Sequence, residues 1–467
     1  MSANAANNLS RGMEERAQIG LHRRLSRITG SSRLSEGVFW NFLGALFTQG
    51  SVFVTNLVLA RMLGKEAFGE FAMIQSTLLT LASVAQIATG FTVTKYVAEF
   101  RDVDKLRTGR VLGLCSMLTV GTGLMGTILL LIGAPWLADH ALNASHLYPE
   151  LLISASFVLF AVMNGYQIGA LAGLEGYRMI SVSGAILGGA HLAICWTATS
   201  VWALEGAVVG LTISALLRWV IFSVALRREL DSRGIIVRRR EGFQERDILL
   251  KFALPAALSG LTTTPAIWLG NAFLVRQVDG FSEMGIYTAA NNFRMMVLFL
   301  PTLVNGVSGA ILNNHRGQGN VEAYRSAYVL NLKATVISAV AGAVAMALVG
   351  EWAMQAFGSA FVATSVKFVI LFMALSVALE SAGIAVYQLI SSHGHMWLSF
   401  SAIALPRDVL TVVTAYWLTP LYGAAGLAAT YAIAFLFSLL VMLCISSRMK
   451  LLRDARVFYS RPLTPSH

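Results

Sequence analysis

Apolar residues occupy most of the chain in long runs, and short polar breaks separate these runs. A helix needs about 20 mainly apolar residues to cross a hydrocarbon core about 30 Å thick. Barrel strands would instead alternate over segments of about 10 residues, and this alternation does not occur. The pattern therefore predicts twelve transmembrane helices, at residues 38–60, 69–94, 110–133, 150–172, 178–199, 205–226, 252–274, 284–312, 327–349, 362–389, 396–418 and 422–446.

The longest polar interruption falls near the middle of the chain. Residues 227–251 are rich in arginine and separate six predicted helices from the next six. We therefore expect an all-α integral membrane protein with two six-helix bundles, at residues 37–226 and 252–446, joined by a basic cytoplasmic linker. Polar cytoplasmic tails are predicted at residues 1–36 and 447–467.

Composition and charge support a membrane location. Of 467 residues, 56% are hydrophobic and 13% are charged, whereas a soluble domain carries about 25% charged residues. Most of the net charge of +11 lies in the polar breaks, so it indicates membrane orientation and contact with anionic lipids rather than nucleic-acid binding. Because residues 134–149 contain no Lys or Arg, this break is predicted to be external and both termini cytoplasmic.

Weakly similar stretches recur in the two halves at a nearly constant offset. This recurrence predicts a duplication in which both halves have the same orientation. The halves would then be related by pseudo-two-fold symmetry about the membrane normal, with a central cavity between them. The matched stretches are 63–71 with 279–287, 165–167 with 386–388, and 205–211 with 422–427.

Arg294 is the sharpest candidate for a functional charge inside the membrane. Counted from Met284 at 1.5 Å per residue, it lies about 15 Å deep in the eighth helix. A charge at this depth costs about 2.5–3.5 kcal/mol and is a functional hypothesis by default. Asn291, Pro301 and Asn305 lie close to the same helical face. This face either lines a cavity or carries a structural arginine satisfied by neighbouring carbonyl groups.

Each of the other deep ionisable side chains has two interpretations. Arg407 and Asp408 are adjacent, so they either line the cavity or neutralise each other at a broken helix. His191, which the repeat matches with Asp408, is either a core residue or a coupling site. Arg218 either faces the cavity or reaches the cytoplasmic surface. Glu380 either pairs with one of the deep arginines or binds a coupling proton or sodium ion.

Uncharged polar residues on the first and seventh helices are further candidates. Gln49 and Asn56 share a face of the first helix, and Asn271 lies in the seventh together with Thr262 to Thr264. Amides and hydroxyls suit sugar hydroxyl groups, but they also occur in ordinary packing between membrane helices. The sequence has no phosphate-cradling loop, nucleophile elbow or metal-ligand spacing. It therefore predicts no ATP hydrolysis and no cofactor or metal site.

The paired bundles, the basic central segment and two short motifs resemble a known family. The first motif is Phe-Gly-Glu-Phe at residues 68–71, and the second is Tyr-x-x-Ala-Asn-Asn-Phe-Arg at residues 287–294. Over residues 36–450 the chain resembles the Wzx-type oligosaccharide flippases, which belong to the multidrug/oligosaccharidyl-lipid/polysaccharide exporter superfamily.

The resemblance implies a substrate. Wzx-like proteins move undecaprenyl-diphosphate-linked oligosaccharide repeat units across the bacterial inner membrane to the periplasmic leaflet, for O-antigen, capsule or exopolysaccharide synthesis. The expected mechanism is alternating access. Implied partners are membrane lipids, a proton or sodium gradient and a polysaccharide polymerase. The candidate substrate-binding residues are Arg294, Arg407, Arg218, Asn291, Asn305, Gln49, Asn56 and Asn271, and the candidate ion-coupling residues are Asp408, Glu380 and His191.

Two other functions remain open at this point. The first is an ion-coupled multidrug or small-molecule antiporter of the same superfamily, which would call for buried acids, whereas the first helix has none. The second is a membrane polymerase or ligase acting on lipid-linked sugars. Such an enzyme would be expected to have a large periplasmic loop, and the break at residues 134–149 is short.

Overall fold

The described chain is helical from end to end. A computed structural model describes residues 3–86, 89–248, 254–317, 321–362, 365–392 and 396–448. Within these ranges it contains α-helices and short 3₁₀- or π-helical turns, without strands. The α-helices are α1 (Ala3–Gln86), α2 (Thr89–Phe100), α3 (Lys105–Trp136), α4 (Tyr148–Ile153), α5 (Ser156–Gly173), α6 (Tyr177–Arg233), α7 (Arg246–Ile248), α8 (Leu254–Val275), α9 (Gly280–Gly317), α10 (Val321–Met354), α11 (Val366–Ser392), α12 (Met396–Leu398) and α13 (Leu405–Arg448).

Three of the long helices contain a break at which the chain reverses. The backbone leaves the helical region at Gly64 in α1, at Trp202 and Ala203 in α6, and at Gly423 in α13. Among the described residues, seven helices are long and apolar enough to cross a membrane, and these three are long enough to do so twice. The resulting segments occupy the twelve predicted spans, so the all-α membrane fold with two six-helix halves is confirmed.

The predicted tail and linker segments end at residues different from those that bound the helices. Because α1 begins at Ala3, the described part of the predicted tail at residues 1–36 is helical and continuous with the first span. α6 continues to Arg233, so the first turns of the predicted linker are helical too. Residues 249–253 and 449–467 lie outside the described residues.

The loops gather at two ends of the bundle. At the end called the basic end, Arg101 Nη1 donates a hydrogen bond to the carbonyl of Gly173 (2.7 Å), and Lys105 Nζ donates to the carbonyl of Arg233 (2.7 Å). At the opposite end, Glu283 accepts a hydrogen bond from the backbone N–H that follows the break in α13 (2.8 Å). The basic end therefore holds the central linker together with the loops after α2 and α5.

The central linker is packed against α3. Gly234, in the left-handed region (φ 65°), ends α6, and the following segment, residues 235–241, is called the strap. The backbone N–H of Arg238 donates to the carbonyl of Gly109 on α3 (2.9 Å). A Cβ at Gly113 would lie 2.4 Å from the carbonyl oxygen of Arg238, so only glycine permits this approach.

The two halves contain the same hairpin, which confirms the duplication. Ala203 (φ 45°, ψ −120°) and Gly423 (φ 54°, ψ −131°) break α6 and α13 with nearly equal backbone angles. Shortly after each break, Gly206 and Gly426 lie directly against a carbonyl of the preceding segment. The sequence comparison paired Gly206 with Gly423, and this register is wrong. The sequence comparison matched residue types. The position at which the chain reverses instead pairs Gly206 with Gly426, an offset of 220 residues.

The halves meet in the part of the bundle next to the opposite end. α1 packs against α6 of its own half and against α8 and α9 of the other half. The Phe53 ring meets those of Phe293 and Phe357 edge to face, with centroids 5.4 and 6.0 Å apart, and Arg61 Nε donates to the carbonyl of Ala356 (2.5 Å). Among the described residues, hydrogen bonds and ring contacts between the halves lie within about 20 Å of the opposite-end turns.

Candidate functional site

Arg294 is buried inside the second half and has three hydrogen-bond partners. It lies on α9, is 5% exposed, and forms an ion pair through Nη2 with Glu380 of α11. Its Nε donates to Ser376 Oγ (2.8 Å) and its Nη1 donates to Asn291 Oδ1 (3.3 Å). The guanidinium carbon lies 5.4 Å from the ring centroid of Phe435 on α13. Of the two interpretations of Glu380, pairing with an arginine is therefore the arrangement observed.

Arg407 and Asp408 form a second buried ion pair at the start of α13. Asp408 is 4% exposed and accepts hydrogen bonds from Thr262 Oγ1 (2.8 Å) and Thr263 Oγ1 (2.9 Å) of α8. Arg407 donates to Asp408 Oδ1 from Nε (2.9 Å) and from Nη2 (2.7 Å). A π-helical turn, Ser399–Ala404, immediately precedes α13, and such turns are frequent at functional sites. The pair ties α13 to α8.

The two ion pairs lie near each other in the second half. Arg407 is close enough to Glu380 to interact with it electrostatically. The stacked rings of Tyr287 and Tyr431, with centroids 6.1 Å apart, lie within the electrostatic range of Arg294. The two arginines and two carboxylates carry no net charge, so an anion that binds here competes with a carboxylate for its guanidinium. The paired-arginine site is defined as Arg294, Glu380, Arg407 and Asp408.

His191 and Arg218 form a separate cluster in the first half. His191 Nδ1 lies 3.5 Å from Cys195 Sγ, and Arg218 is close enough to His191 to interact electrostatically. At the offset defined by the two hairpins, His191 corresponds to Thr411, about one helical turn beyond Asp408. The match of His191 with Asp408 is therefore corrected. The structure gathers the predicted charged residues into two clusters, one in each half.

The amides on the first and seventh predicted helices connect the two halves. Asn56 Nδ2 donates to Asn292 Oδ1 (2.9 Å), and Asn271 Nδ2 donates to Ser76 Oγ (2.9 Å). Both amides are buried, and both bonds would break if the halves moved apart. Their present contacts therefore stabilise the closed part of the interface. Gln49 is half-buried on α1.

Asn305 belongs to a polar network at another level of the second half. It is 2% exposed, donates to Thr335 Oγ1 (3.0 Å) and accepts from Asn331 Nδ2 (3.0 Å). Gln388 Nε2 donates to the Asn305 carbonyl (2.5 Å). The predicted polar face of the eighth helix is thus divided. Asn291 contacts the paired-arginine site, whereas Asn305 links α9, α10 and α11.

Several contact residues were missed from the sequence. Ser376 and Phe435 complete the surroundings of the deepest arginine, but serine and phenylalanine are ordinary residues in apolar helices, so nothing marked them. Asn292 carried a usable signal. It is an amide within a membrane helix, next to Asn291, and its Oδ1 accepts the hydrogen bond from Asn56 of the other half.

Comparison with known proteins identifies the family. A family profile described as "Polysaccharide biosynthesis protein" matches residues 34–310, more than half of the chain. The chain belongs to this polysaccharide biosynthesis protein family. It is similar to the EPS I polysaccharide export inner membrane protein EpsE of Ralstonia solanacearum, with 25% identity over 289 residues. The aligned stretch covers 58% of this chain and 62% of that protein, so it spans less than two thirds of the relative. EpsE of Ralstonia nicotianae is 26% identical over 279 residues, with the same coverage of 58% and 62%.

Solved structures show the same fold. The family member resembles an inward-facing multidrug resistance MATE family transporter of the MOP superfamily, with a TM-score of 0.67, 17% identity and coverage of 91% of this chain and 96% of that chain. It also resembles a MOP superfamily transporter from Pyrococcus furiosus, with a TM-score of 0.65, 18% identity and coverage of 90% and 97%. These similarities confirm the two-lobed, multi-pass membrane fold expected from the repeat.

Proposed function

We propose that this protein is a flippase that moves undecaprenyl-diphosphate-linked oligosaccharide repeat units across the bacterial inner membrane, for O-antigen, capsule or exopolysaccharide synthesis. The proposal is supported by the family, by relatives named as inner-membrane polysaccharide export proteins, and by the two-lobed transporter fold. Transport changes no covalent bond of the substrate. A polysaccharide polymerase would then take up the exported repeat units.

The paired-arginine site is the observation that carries this proposal. A diphosphate must leave water to cross the membrane, and guanidinium groups bind phosphate oxygens through parallel, charge-assisted hydrogen bonds. Before substrate arrives, Arg294 and Arg407 would be costly to hold uncompensated at this depth. Glu380 and Asp408 balance their charge. The site therefore holds two phosphate-binding arginines whose charge is balanced by two carboxylates.

Substrate binding is proposed to exchange one partner of Arg294 for another. The incoming diphosphate takes over the guanidinium, and Glu380 accepts a proton, because its unpaired negative charge would be costly in the same low-dielectric surroundings. Release of the substrate reverses both steps. A proton is favoured over sodium because Glu380 is bonded to a guanidinium rather than surrounded by the several oxygen ligands that a metal cation requires. Asp408 and His191 are the further candidates for proton uptake.

The contacts between the halves suggest the direction of access. On the positive-inside rule, the basic end is cytoplasmic. The halves are joined near the opposite end by the Phe53 ring contacts and by the Asn56 and Asn271 amides. These contacts support an inward-facing arrangement that is closed next to the opposite end. The substrate would enter from the cytoplasmic side, with its sugars against the polar faces that carry Gln49, Asn56 and Asn271.

The charge balance weighs against a drug antiporter. A cationic drug needs an acid that is not already neutralised, whereas Glu380 and Asp408 each pair with an arginine. The site offers a cationic ligand no uncompensated carboxylate.

The proposal can be tested in the native bacterium by deletion of the gene. We expect an undecaprenyl-diphosphate oligosaccharide to accumulate in lipid extracts while surface polymer disappears. The wild-type gene should reverse both effects, as should Arg276→Ala, a control at an exposed arginine of the same half. Arg294→Ala, expressed to the same level, should not. Unchanged polymer and no lipid-linked sugar after deletion would contradict the proposed function.

A further inference from the structure

A groove of about 670 Å³ opens at the basic end of the first half. It lies between α3 and the second segment of α6, with α5 along its floor and the strap across its end. The groove runs along α6 from Trp219 to Leu230, about 16 Å at 1.5 Å per residue. It belongs to the first half and lies outside the paired-arginine site. Its polar inner wall is formed by Ser116, Thr119, Tyr166, Gln167, Trp219 and Ser223.

The end of the groove is fixed by ion pairs between the strap and α3. Arg110 Nε donates to Glu241 Oε2 (3.0 Å), and Arg238 Nη1 donates to Glu241 Oε1 (2.7 Å). Hydrogen bonds from Arg238 and then from Arg110 lower the pKa of the Glu241 carboxyl, so this acid is ionised and committed to the strap. Arg238 is likewise engaged. The groove therefore has a defined wall rather than a loose loop at its end.

Three further arginines line the groove and are not neutralised. Arg227, Arg239 and Arg240 are exposed, and none of their side chains has an ion pair or hydrogen bond to a residue in the part of the chain that the structure describes. Arg239 is close enough to Tyr166 to act on its ring hydroxyl electrostatically. Three like charges around one opening repel one another, and a bound anion would relieve that repulsion.

The inner wall contains an unsatisfied acceptor. Gln167 is 4% exposed, and its Nε2 donates to Ser223 Oγ (2.7 Å) and to the carbonyl of Trp219 (3.2 Å). Its Oε1 is buried and has no hydrogen-bond donor among the described residues. A buried acceptor without a donor is costly. The wall of the groove at Gln167 is therefore polar and incompletely satisfied.

We propose that this groove binds the phosphate-bearing headgroup of an anionic lipid. Arg227, Arg239 and Arg240 would hold the phosphate, and the polar wall that includes Gln167 would face the rest of the headgroup. The apolar residues Leu226 and Leu230, beside the arginines, would contact the start of the lipid tail. Basic pockets between transmembrane helices on the cytoplasmic side are suited to anionic headgroups. The inference does not depend on which substrate is transported.

Two lipids present this chemistry, and native mass spectrometry of the full-length protein can distinguish them. The probes are phosphatidylglycerol, which is the bulk anionic phospholipid, undecaprenyl diphosphate, and zwitterionic phosphatidylcholine as the reference. We expect at least one anionic lipid to bind at least tenfold more tightly than phosphatidylcholine. Tighter binding of phosphatidylglycerol would assign the groove to bulk lipid. Tighter binding of undecaprenyl diphosphate would assign it to the carrier lipid.

Variants locate the binding. The triple substitution Arg227→Gln, Arg239→Gln and Arg240→Gln should lower the affinity at least tenfold, and Gln167→Leu should lower it while leaving the arginines in place. Arg276→Gln at the opposite end is the matched control and should have no effect. To exclude binding at the paired-arginine site, undecaprenyl diphosphate is also tested on a variant that lacks Arg294 and Glu380. Equal affinity for all three lipids, or unchanged affinity in a monodisperse triple variant, would overturn the inference.

Discussion

The Arg294–Glu380 pair allows a structural role to be separated from a transport role. Arg294→Met would leave the half-buried Glu380 without its guanidinium partner, so that the acid must either stay charged at a cost or take up a proton. Breaking a buried ion pair in this way costs about 3–5 kcal/mol. At about 2–4 °C per kcal/mol for a domain-sized half, the melting temperature should fall by roughly 6–20 °C. Replacing both residues with methionine removes both charges together, which is about neutral or stabilising by about 1–4 kcal/mol.

The transport result should not follow the stability result. We expect the double variant to melt near the wild type but to fail to export, because it has no guanidinium at this position to bind the phosphate. Melting is followed in detergent by tryptophan fluorescence. Export is followed by surface polymer in the complemented deletion strain, normalised to protein level. Arg276→Met is the control for loss of an arginine in the same half. A double variant that regains both stability and export would show that the pair is purely structural and would refute this reasoning.

Four further perturbations test the remaining parts of the structure. Asp408→Ala leaves the charge of Arg407 uncompensated and should lower the free energy of unfolding by about 3–5 kcal/mol. The melting temperature should therefore fall, and an unchanged melting temperature would contradict the ion pair. Phe53→Ala removes two ring contacts worth about 0.5–1.5 kcal/mol each. In a background without native cysteines, it should speed labelling of a cysteine placed on the facing part of α9; an unchanged rate would argue against closure there. Gly113→Val places side-chain atoms against the Arg238 carbonyl and should expose the strap to trypsin. Arg238 and then Arg110 lower the pKa of Glu241 in the docked strap. Docking should therefore be strongest above the ordinary carboxyl pKa, and it should weaken as the pH falls through the lowered pKa of Glu241. Hydrogen exchange of the strap, corrected for intrinsic rates, should show this dependence, and Glu241→Gln should abolish it.

The sequence predicted the fold well because hydropathy and length are local properties. The apolar runs located the spans, and the recurrence of short stretches predicted two similar halves. The register of the repeat was harder to obtain. Gly206 and Gly423 look alike in sequence, whereas the hairpin geometry pairs Gly206 with Gly426.

The candidate site was only partly predictable, because its geometry depends on contacts between distant residues. The cost of a buried charge identified Arg294 and Glu380, but periodicity could not show that a side chain 86 residues away is its partner. Asn305 appeared to continue the same polar face, yet it bonds to α10 and α11. Helical spacing gives the direction in which a side chain points, and only tertiary packing decides what it meets.

Flipping by the purified protein in vesicles tests the central claim most directly. Full-length protein is reconstituted with undecaprenyl-diphosphate oligosaccharide labelled on its sugar, and a membrane-impermeant quencher reports how quickly the label changes leaflet. We predict that wild-type vesicles exchange the label faster than protein-free vesicles and that a proton gradient changes this rate. Vesicles carrying the stable double methionine variant at Arg294 and Glu380 should match the protein-free rate. If wild-type protein moves the label no faster than protein-free vesicles do, the flippase account is contradicted.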